Sequence, residues 1–391
     1  MSREVPEGWT SATLGDVVSL EYGRSLKASS RIPGPIPVYG SNGVVGAHIS
    51  PAVKGPGIVV GRKGSVGAAL WSDVDFWPID TTYYVVPKGP TNLRWLFYLL
   101  LHSRLDKLNQ ATGVPGLNRG DACMLPILLP PLHEQKKIAE ILGSVDESIR
   151  ATKAVIEQTK KVKKGLLQQL LTRGIGHTRF KQTEIGEIPE SWDVVRLEDV
   201  VVRATYGFTN PMPTTTNGPW MVTAKDVREG TIDYSTARHT SEEAYRTKIT
   251  DKSRPVKDDV LVTKDGTLGR IAVVDREGAC INQSVALIRP EQQRIAPRFL
   301  AAYLESPDGQ RRMLDDAGGS TIKHIYITKL TKMAIPLPPL QEQLSIVERS
   351  EEARRAQWRL TSSLECCDQL RTGLMQDLLT GIVRVEVTNA Q

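Results

Sequence analysis

The sequence Leu129-Pro-Pro-Leu-His-Glu-Gln135 occurs twice in this chain and is the strongest guide to its architecture. It returns as Leu337-Pro-Pro-Leu-Gln-Glu-Gln343, 208 positions later, and a long helical pattern follows each copy. The openings of the two halves also match, Val5-Pro-Glu-Gly-Trp9 with Ile188-Pro-Glu-Ser-Trp192 at an offset of 183 positions. The chain is therefore a tandem of two similar units. A molecule with two such units and long helical spacers is suited to contacting two targets at a fixed separation.

The long helices are predicted over about 133–172 and 341–380. From Ile138 to Ile156 the seam positions, which are apolar except for Thr152, step alternately by four and three, as in a coiled coil. About 40 residues at 1.5 Å each make a rod of roughly 60 Å. We assign to the packing of the two helices Ile138, Leu142, Val145, Ile149, Ile156, Val162, Gly165, Leu166, Leu170, Leu364, Leu370, Gly373, Leu374 and Leu378.

The two helices are predicted to pack on each other as an antiparallel pair, because two equal seams in one chain most simply bury each other. Pro131 and Pro339 fit the first helical position, and Glu134 and Glu342 are favourable in the first turn. Both helices also carry a glycine at equivalent interior positions, at a cost of about 1 kcal/mol each. This predicts close approach of the two backbones, with shared ancestry as the alternative.

The segments before the helices are predicted to be compact α+β domains. Short β-branched stretches alternate with Gly and Pro turn signals, with strands near Val260–Thr263 and Val285–Arg289 in the second segment. One amphipathic helix lies in each segment, near Leu93–Leu108 and Ala296–Leu304. The predicted fold class is α+β, with two globular α/β domains joined by two long antiparallel coiled-coil helices in a pseudo-twofold repeat. The predicted segments are 1–130, 131–177, 178–338 and 339–391.

Only the later parts of the two domains align with each other. Gly57-Ile-Val-Val-Gly-Arg-Lys-Gly-Ser-Val-Gly67 lies over Asp259-Val-Leu-Val-Thr-Lys-Asp-Gly-Thr-Leu-Gly269 at an offset of 202 positions. The earlier Pro37-Val-Tyr-Gly-Ser-Asn-Gly43 has no counterpart in the second domain, which has Trp220-Met-Val-Thr-Ala-Lys-Asp-Val227 instead.

Composition favours a soluble protein of two or more domains, since the chain has 391 residues, 40% of them apolar and 24% charged. No apolar run approaches a membrane span, and the four cysteines show neither zinc-finger nor disulfide-framework spacing. We therefore expect a cytoplasmic protein with no membrane partner and no metal site. Nine Lys or Arg against one acid between Arg150 and Lys181 favour a polyanionic partner such as nucleic acid, with a solvated helix face as the alternative.

Catalytic motifs are missing from the sequence. Gly61-Arg-Lys-Gly-Ser65 lacks the spacing of a phosphate-binding loop, no H-E-x-x-H occurs, and no Gly-rich cofactor loop lies in a βαβ context. We therefore assign no catalytic residue and expect no cofactor to bind to this chain.

Several loops carry residues suited to contacting DNA. Arg62-Lys-Gly-Ser65 and Lys264-Asp-Gly-Thr267 place cations beside a glycine turn, where backbone N–H groups and a cation can approach phosphates. Gly113–Arg119 and Ser320–Tyr326 precede the two helices and offer side chains able to read bases or hold phosphates. Simple hairpin turns, or loops that support the helix starts, are the alternatives. The candidate DNA-binding residues are Tyr39, Ser41, Asn42, Arg62, Lys63, Ser65, Asn118, Arg119, Lys264, Thr267, Lys323, His324 and Tyr326.

This combination resembles the specificity subunit of type I restriction-modification systems over essentially the whole chain. The features that carry the resemblance are the duplicated Pro-Pro-Leu-x-Glu-Gln helix, the Pro-Glu-x-Trp openings, the Tyr-Gly-Ser-Asn-Gly stretch and the Leu-Leu-Thr helix ends. By this resemblance, 1–130 and 178–338 are two target recognition domains, each reading one half of a split DNA site. The regions 131–177 and 339–391 are spacer helices.

The resemblance also implies a division of labour among subunits. The spacer helices dock two DNA adenine methyltransferase subunits, and restriction subunits with translocase activity join for cleavage. S-adenosylmethionine, ATP and Mg2+ are then expected on those partners, and this chain is expected to be a non-catalytic reader of double-stranded DNA. Because the earlier parts of the two domains differ, we expect an asymmetric target.

Two other functions stay open at this point. One is a stand-alone methyltransferase or nuclease, which would need a catalytic motif that the sequence does not show. The other is a helical scaffold that binds proteins but no DNA, against which the basic run argues only mildly.

Overall fold

The computed structural model describes residues 5–108, 116–228, 230–315 and 324–385. The chain divides into two compact units, of which the first combines Met1–Ala154 with Thr361–Gln391 and the second is Val155–Leu360. Each unit therefore holds one globular domain together with part of each long helix. The segment boundaries predicted from the sequence remain a prediction.

The first unit contains nine strands and three short helices among its described residues. The strands are β1 Thr10–Thr13, β2 Val18–Tyr22, β3 Ile36–Gly40, β4 Gly43–His48, β5 Gly57–Gly61, β6 Ala69–Ser72, β7 Trp77–Pro78, β8 Thr82–Pro87 and β9 Pro126–Leu129. The helices are α1 Leu14–Val17, α2 Leu93–His102 and α3 Arg119–Cys123. Helix α2 ends before Leu105, where a short 3₁₀ helix begins, because Arg104 adopts a positive φ of 49°. The single helix predicted over Leu93–Leu108 is therefore wrong in its second half.

The second unit follows the same order with more elements. Its strands are β10 Phe180–Thr183, β11 Gly186–Pro189, β12 Asp193–Arg196, β13 Val201–Tyr206, β14 Thr215–Val222, β15 Val227–Arg228, β16 Thr231–Ile232, β17 Arg238–His239, β18 Val260–Thr263, β19 Ile271–Val273, β20 Ala279–Ile281, β21 Val285–Pro290 and β22 Ala334–Leu337. The long helix α4, Leu132–Arg173, precedes them. The short helices of the second unit are α5 Glu242–Thr247, α6 Pro297–Glu305, α7 Pro307–Asp315 and α8 Ile327–Thr331. The second long helix, α9 Leu340–Leu379, is divided between the two units, as α4 is.

Both domains are built on the same sheets. The first has an antiparallel four-stranded sheet in the order β2-β8-β5-β6, and the second has β13-β21-β18-β19. A separate two-stranded ribbon pairs the strand after the opening tryptophan with the strand before the long helix, as β1-β9 and β12-β22. These ribbons bring the two ends of each domain together at the start of a long helix.

The earlier parts of the domains also share a fold, although their sequences do not align. A three-stranded sheet runs in the order β4-β3-β7 in the first domain and β17-β14-β20 in the second. In each, the central strand pairs in parallel with the last one, Val38 opposite Trp77 and Met221 opposite Cys280. The stretch at Pro37–Gly43 therefore has a structural counterpart around Met221, which the sequence comparison missed.

The long helices α4 and α9 confirm the predicted pair to within one residue at each end. Pro131 and Pro339 lie just before the first helical residue rather than at it, since each carbonyl already accepts a backbone N–H from the first turn. The Pro131 carbonyl accepts from Gln135 at 3.0 Å and the Pro339 carbonyl from Gln343 at 3.1 Å.

The two helices run antiparallel within each unit. In the first unit Leu142 shares a core with Leu378, and one turn further along α4 Asp146 pairs with Arg371 at 3.3 Å. Residue numbers thus rise along α4 while they fall along α9. The corresponding pairs in the second unit are Lys163 with Gln357 and Leu170 with Ile346.

The duplicated motif joins each long helix to its domain through a buried carboxylate. The Trp9 indole Nε1 donates to Glu134 at 2.9 Å, and Arg384 binds the same carboxylate. Burial alone raises the pKa of Glu134, but the hydrogen bonds from Arg384 and Trp9 outweigh it and hold the pKa below its ordinary value. The glutamate does more than complement a helix dipole, because it ties the opening tryptophan to the helix start.

The second unit repeats this arrangement with different partners. Glu342 accepts from Trp192 Nε1 at 2.9 Å and from the Ile175 backbone N–H at 3.0 Å, and it lies 2.8 Å from His177 Nε2. The neighbouring glutamine acts in the same way in both units. Gln343 Oε1 accepts from the N–H of Ala296 at 2.8 Å, just before α6, as Gln135 does from Asn92 before α2.

Four of the residues assigned to the helix pair do not pack there. Val162 and Leu370 are exposed, and a Cβ added to Gly165 or Gly373 would meet no atom within 4 Å. The predicted close backbone approach at the glycines is therefore wrong. The other assigned residues are buried, namely Ile138, Leu142, Ile149, Ile156, Leu170 and Leu378, or half-buried, namely Val145, Leu166, Leu364 and Leu374.

The exposure of Val162 and Leu370 follows from what the ends of the long helices contact. In the last turns of α4, Leu170 and Leu171 are buried in the core of the second domain together with Trp192. Leu378 and Leu379 do the same in the first domain. The buried face of each long helix turns there from the other long helix toward the domain. The row of buried side chains therefore moves by one residue along the sequence, for example from Leu170 to Leu171. Within the described residues, no helix is long and apolar enough to cross a membrane.

Candidate nucleic-acid interface

The predicted loops of the first domain come together around a tyrosine that was not predicted. The guanidinium groups of Arg62 and Arg119 each lie 5.3 Å from the ring centroid of Tyr22. The Leu117 backbone N–H donates to the Arg62 carbonyl at 2.8 Å, which holds the loop before α3 against the β5–β6 loop. Tyr22 is 50% exposed, so the two cations and the ring share one face of the domain. We call Tyr22, Arg62 and Arg119 the Tyr22 cluster.

Other predicted residues lie next to this cluster. Ser41 Oγ comes within 3.0 Å of a Cβ built on Gly64, so the β3–β4 turn touches the β5–β6 loop that carries Lys63 and Ser65. Lys63 is exposed and Ser65 half-buried, and Asn42 is exposed at the tip of the β3–β4 turn. These four side chains stay candidates for contact with DNA.

Two predicted residues of the first domain are engaged in the fold itself. Tyr39 is buried, with its ring 5.9 Å from that of Phe76, so we withdraw it as a DNA contact. The Asn118 side chain accepts from the backbone N–H of Gly120 at 2.7 Å and caps α3. Its side-chain oxygen is taken by the helix start, but Asn118 is exposed and its Nδ2 amino group stays a candidate for contact with DNA.

The second domain repeats the cluster around Tyr206. The Nζ atoms of Lys264 and Lys252 lie 5.6 and 5.7 Å from the Tyr206 ring centroid, and the ring is 41% exposed. The Ile325 backbone N–H donates to the Lys264 carbonyl at 3.1 Å, as Leu117 does to Arg62 in the first domain. We call Tyr206, Lys252 and Lys264 the Tyr206 cluster.

An acid makes the second cluster chemically different from the first. Asp265 accepts from Lys264 Nζ at 2.6 Å and also binds His324 Nδ1. Burial raises the pKa of Asp265, but these two hydrogen bonds outweigh it and hold the pKa below its ordinary value. Thr267 is exposed in the same turn, Tyr326 is exposed just before α8, and Lys323 lies outside the described residues.

A sequence signal for the two missed tyrosines existed. Tyr22-Gly23 and Tyr206-Gly207 recur at an offset of 184, within one position of the offset between the opening motifs. Each glycine is required by close packing, because an added Cβ would lie 2.1 Å from the Ile79 carbonyl oxygen at Gly23 and 1.9 Å from that of Ile281 at Gly207. In both domains the tyrosine of the repeated dipeptide is the last residue of an edge strand of the four-stranded sheet, β2 or β13.

The two clusters have the same composition of an exposed aromatic ring and nearby cations. Cations held over an exposed aromatic ring suit contacts to phosphates and to base edges. Among the described residues no group of three His, Cys, Asp or Glu side chains could hold a metal ion. The geometry is therefore that of two similar contact surfaces, one in each domain.

Comparison with known proteins shows the family of this chain. The model of the type I restriction modification DNA specificity domain matches twice, at residues 6–161 and 189–355. The MjaVIII specificity subunit of Methanocaldococcus jannaschii is 30% identical over 75% of this chain and 71% of its own. The putative MjaX specificity subunit of the same organism is 28% identical over 75% of this chain and 68% of its own.

Solved structures support the fold. A type I restriction-modification S subunit from M. genitalium superposes with a TM-score of 0.60 at 16% identity, covering 99% of each chain. With two domain matches and a repeated architecture, this chain belongs to the family of type I restriction-modification DNA specificity subunits.

Proposed function

We propose that each domain of this specificity subunit reads one half of a bipartite site in double-stranded DNA, through the Tyr22 cluster in one half and the Tyr206 cluster in the other. The observation that carries this proposal is an exposed tyrosine at an equivalent place in each domain, with two cations beside its ring, of which Arg62 and Lys264 are themselves equivalent in the repeat. The cations would fix the domain on the phosphates or bind guanine edges, while the surrounding loops read the other bases.

The target is proposed to be asymmetric because the two clusters differ in chemistry. The first presents two guanidinium groups, and arginine is the side chain best suited to guanine O6 and N7. The second presents lysines, one of which, Lys264, is paired with Asp265, so this cluster carries less net positive charge and no guanidinium group. The same fold thus displays different donors to the two half-sites.

The long helices are proposed to set the gap between half-sites and to dock two DNA adenine methyltransferase subunits, with restriction subunits joining for cleavage. The chain itself would then be non-catalytic, and S-adenosylmethionine, ATP and Mg2+ would act on those partners in the cytoplasm. Exposed apolar side chains on the helices, such as Val162, Trp358 and Leu370, are consistent with a partner surface there.

An exchange of the first domain tests whether the two domains read DNA independently. Residues 1–130 are replaced by the first recognition domain of another specificity subunit, and the modified sites are mapped in cells that also express the methyltransferase. The proposal expects one half-site to change and the other to persist. A change in both halves would contradict it.

A point variant tests the cluster itself. Arg119→Gln should weaken binding of the methyltransferase complex to a duplex carrying the site by about 1–3 kcal/mol, since the side chain can no longer bind a guanine edge or a phosphate as a cation. Arg94→Gln is the matched control, because Arg94 also lies over an aromatic ring, 4.2 Å from the centroid of Trp71, but outside the cluster. Equal effects of the two variants would remove the Tyr22 cluster from the interface.

A further inference from the structure

A second concentration of positive charge lies in the second unit, apart from the residues of the Tyr206 cluster. A cleft of 740 Å³ is bounded by α4, α9, the end of α6, the start of α7 and the start of β19. We call it the basic cleft. Its cationic lining residues are Lys160, Lys163, Lys164, Arg270 and Arg354, and Glu305 is the carboxylate among its lining residues.

Two of the five cationic residues of the basic cleft have carboxylate partners. Lys160 Nζ lies 2.7 Å from Glu157, which is outside the lining. Arg354 pairs with Glu305 at 3.1 Å, which leaves no second carboxylate in the lining. Lys163 Nζ donates to an amide oxygen, Gln357 Oε1, at 3.2 Å. Among the residues that the structure describes, no carboxylate is paired with Lys163, Lys164 or Arg270. Like charges this close repel one another unless an anion is bound between them.

The first unit provides an internal comparison, because the helices repeat at an offset of 208 positions. The equivalents of Lys160, Lys163, Lys164 and Arg354 are Asp368, Arg371, Thr372 and Asp146. There Arg371 lies between two carboxylates, 3.3 Å from Asp146 and 3.7 Å from Asp368, and Asp146 also accepts from the Tyr98 hydroxyl at 2.8 Å. The same place in the repeat therefore has two carboxylates around one guanidinium in the first unit and four cations in the second.

The lining of the basic cleft indicates the chemical class of its ligand. Its volume is that of a site for a small molecule. The other lining residues are Leu167, Gly269, Ile271, Pro307, Gln310 and Gln357, so no aromatic ring is present to stack on a base. Lysine and arginine side chains without carboxylate partners favour phosphate oxygens.

We propose that the basic cleft binds an oligophosphate, that is, a run of adjacent phosphate groups. The source is either a free polyphosphate, such as the phosphate chain of a nucleoside triphosphate, or the phosphate backbone of DNA. The proposal does not depend on the DNA-reading function, because a free oligophosphate can bind here whether or not the two clusters read DNA.

Two triple variants with the same change in net charge test the proposal in the full chain, or in its complex with the methyltransferase. The cleft variant is K163Q/K164Q/R270Q. The control is K153Q/K161Q/K181Q, which removes three cations of the same basic run that do not line the cleft. Inorganic tripolyphosphate is the first probe, titrated by calorimetry at low salt, and unfolding curves verify that both variants are folded.

The cleft variant is expected to bind tripolyphosphate about tenfold or more weakly, while the control stays within about twofold of the parent chain. Equal affinities in all three proteins, or an equal weakening in the two variants, would overturn the proposal. A parent chain that does not bind tripolyphosphate at low salt and shows no cleft-specific weakening toward DNA would overturn it as well.

A duplex carrying the recognition site is the second probe and distinguishes the two sources. If the ligand is the DNA backbone, the cleft variant alone shows a shallower dependence of log affinity on log salt, by about one for each phosphate that its side chains no longer bind. If the ligand is a free oligophosphate, both variants have the same salt dependence and tripolyphosphate does not displace the duplex from the parent chain.

Discussion

Replacing Glu134 by glutamine should destabilise the first unit, because this carboxylate joins the opening of the domain to the start of the long helix. Its side chain is 6% exposed and is bound by Trp9 Nε1 at 2.9 Å and by the Arg384 guanidinium. Glutamine can keep the bond from the indole but does not carry the charge that Arg384 requires. Hydrogen bonds to a charged group contribute about 1.5–3 kcal/mol, and Arg384 is partly exposed, so we expect the unfolding free energy to fall by about 2 kcal/mol.

The same substitution should remove part of the pH dependence of stability. The pKa of Glu134 is held below its ordinary 4.5 in the folded chain. A group with a lowered pKa contributes stability that is fully present above the unfolded pKa and is lost as pH falls through the folded value. Between neutral pH and pH 4.5 the variant should therefore be less stable by a constant amount, and below pH 4.5 the two proteins should converge.

Thermal and urea unfolding of Glu134→Gln at pH 7 and at pH 4 measure both effects. About 2 kcal/mol corresponds to a fall in Tm of roughly 4–8 °C for a unit of this size. Glu140→Gln is the control on the same helix, since Glu140 pairs with Lys137 at 3.2 Å on an exposed surface, where such a pair contributes about 0–1 kcal/mol. If Glu134→Gln and Glu140→Gln have the same Tm, the buried carboxylate does not hold the domain to the helix.

The packing and the repeat support three further predictions. Gly207→Ala should destabilise the second unit by about 1–3 kcal/mol, because the new Cβ would lie 1.9 Å from the Ile281 carbonyl oxygen. Gly165→Ala should stabilise the chain by about 0.5–1 kcal/mol, because the added Cβ would meet no atom within 4 Å. Urea unfolding of both variants measures the two changes in the free energy of unfolding. Burial raises the pKa of the Cys280 thiol to about 12, so at pH 8 a thiol reagent should modify the exposed Cys366 and reach Cys280 only after unfolding. Insertion of one heptad into one long helix should lengthen or rephase the unread gap in the DNA site and leave both half-sites unchanged; an unchanged gap in the map of modified sites would show that something else measures it.

The repeat and the long helices could be predicted because they rest on periodic, local patterns. A motif that recurs at 208 positions and a stripe of apolar residues need no knowledge of tertiary contacts. The positions that failed, Val162 and Leu370, lie where the helix turns its buried face from its partner toward a domain. That turn depends on long-range packing around Trp9 and Trp192, which helix periodicity does not record.

The candidate interface was predicted only in part, for a similar reason. The β5–β6 loop and the residues before α3 were found from their composition, and the structure brings Arg62 and Arg119 together. Tyr22 was missed because it ends a strand far from both of them in sequence. Tyr39 was chosen because it stands beside a turn signal, yet its ring packs against Phe76 in the interior, a long-range contact that the local sequence does not record.

The most direct test of the central claim is a map of modified bases in cells that express this chain together with the adenine methyltransferase of the same locus. We expect a single bipartite motif with two different half-sites and an unread gap, and no such modification when this chain is omitted. Modification that persists unchanged without the chain would contradict its role as the subunit that selects the site.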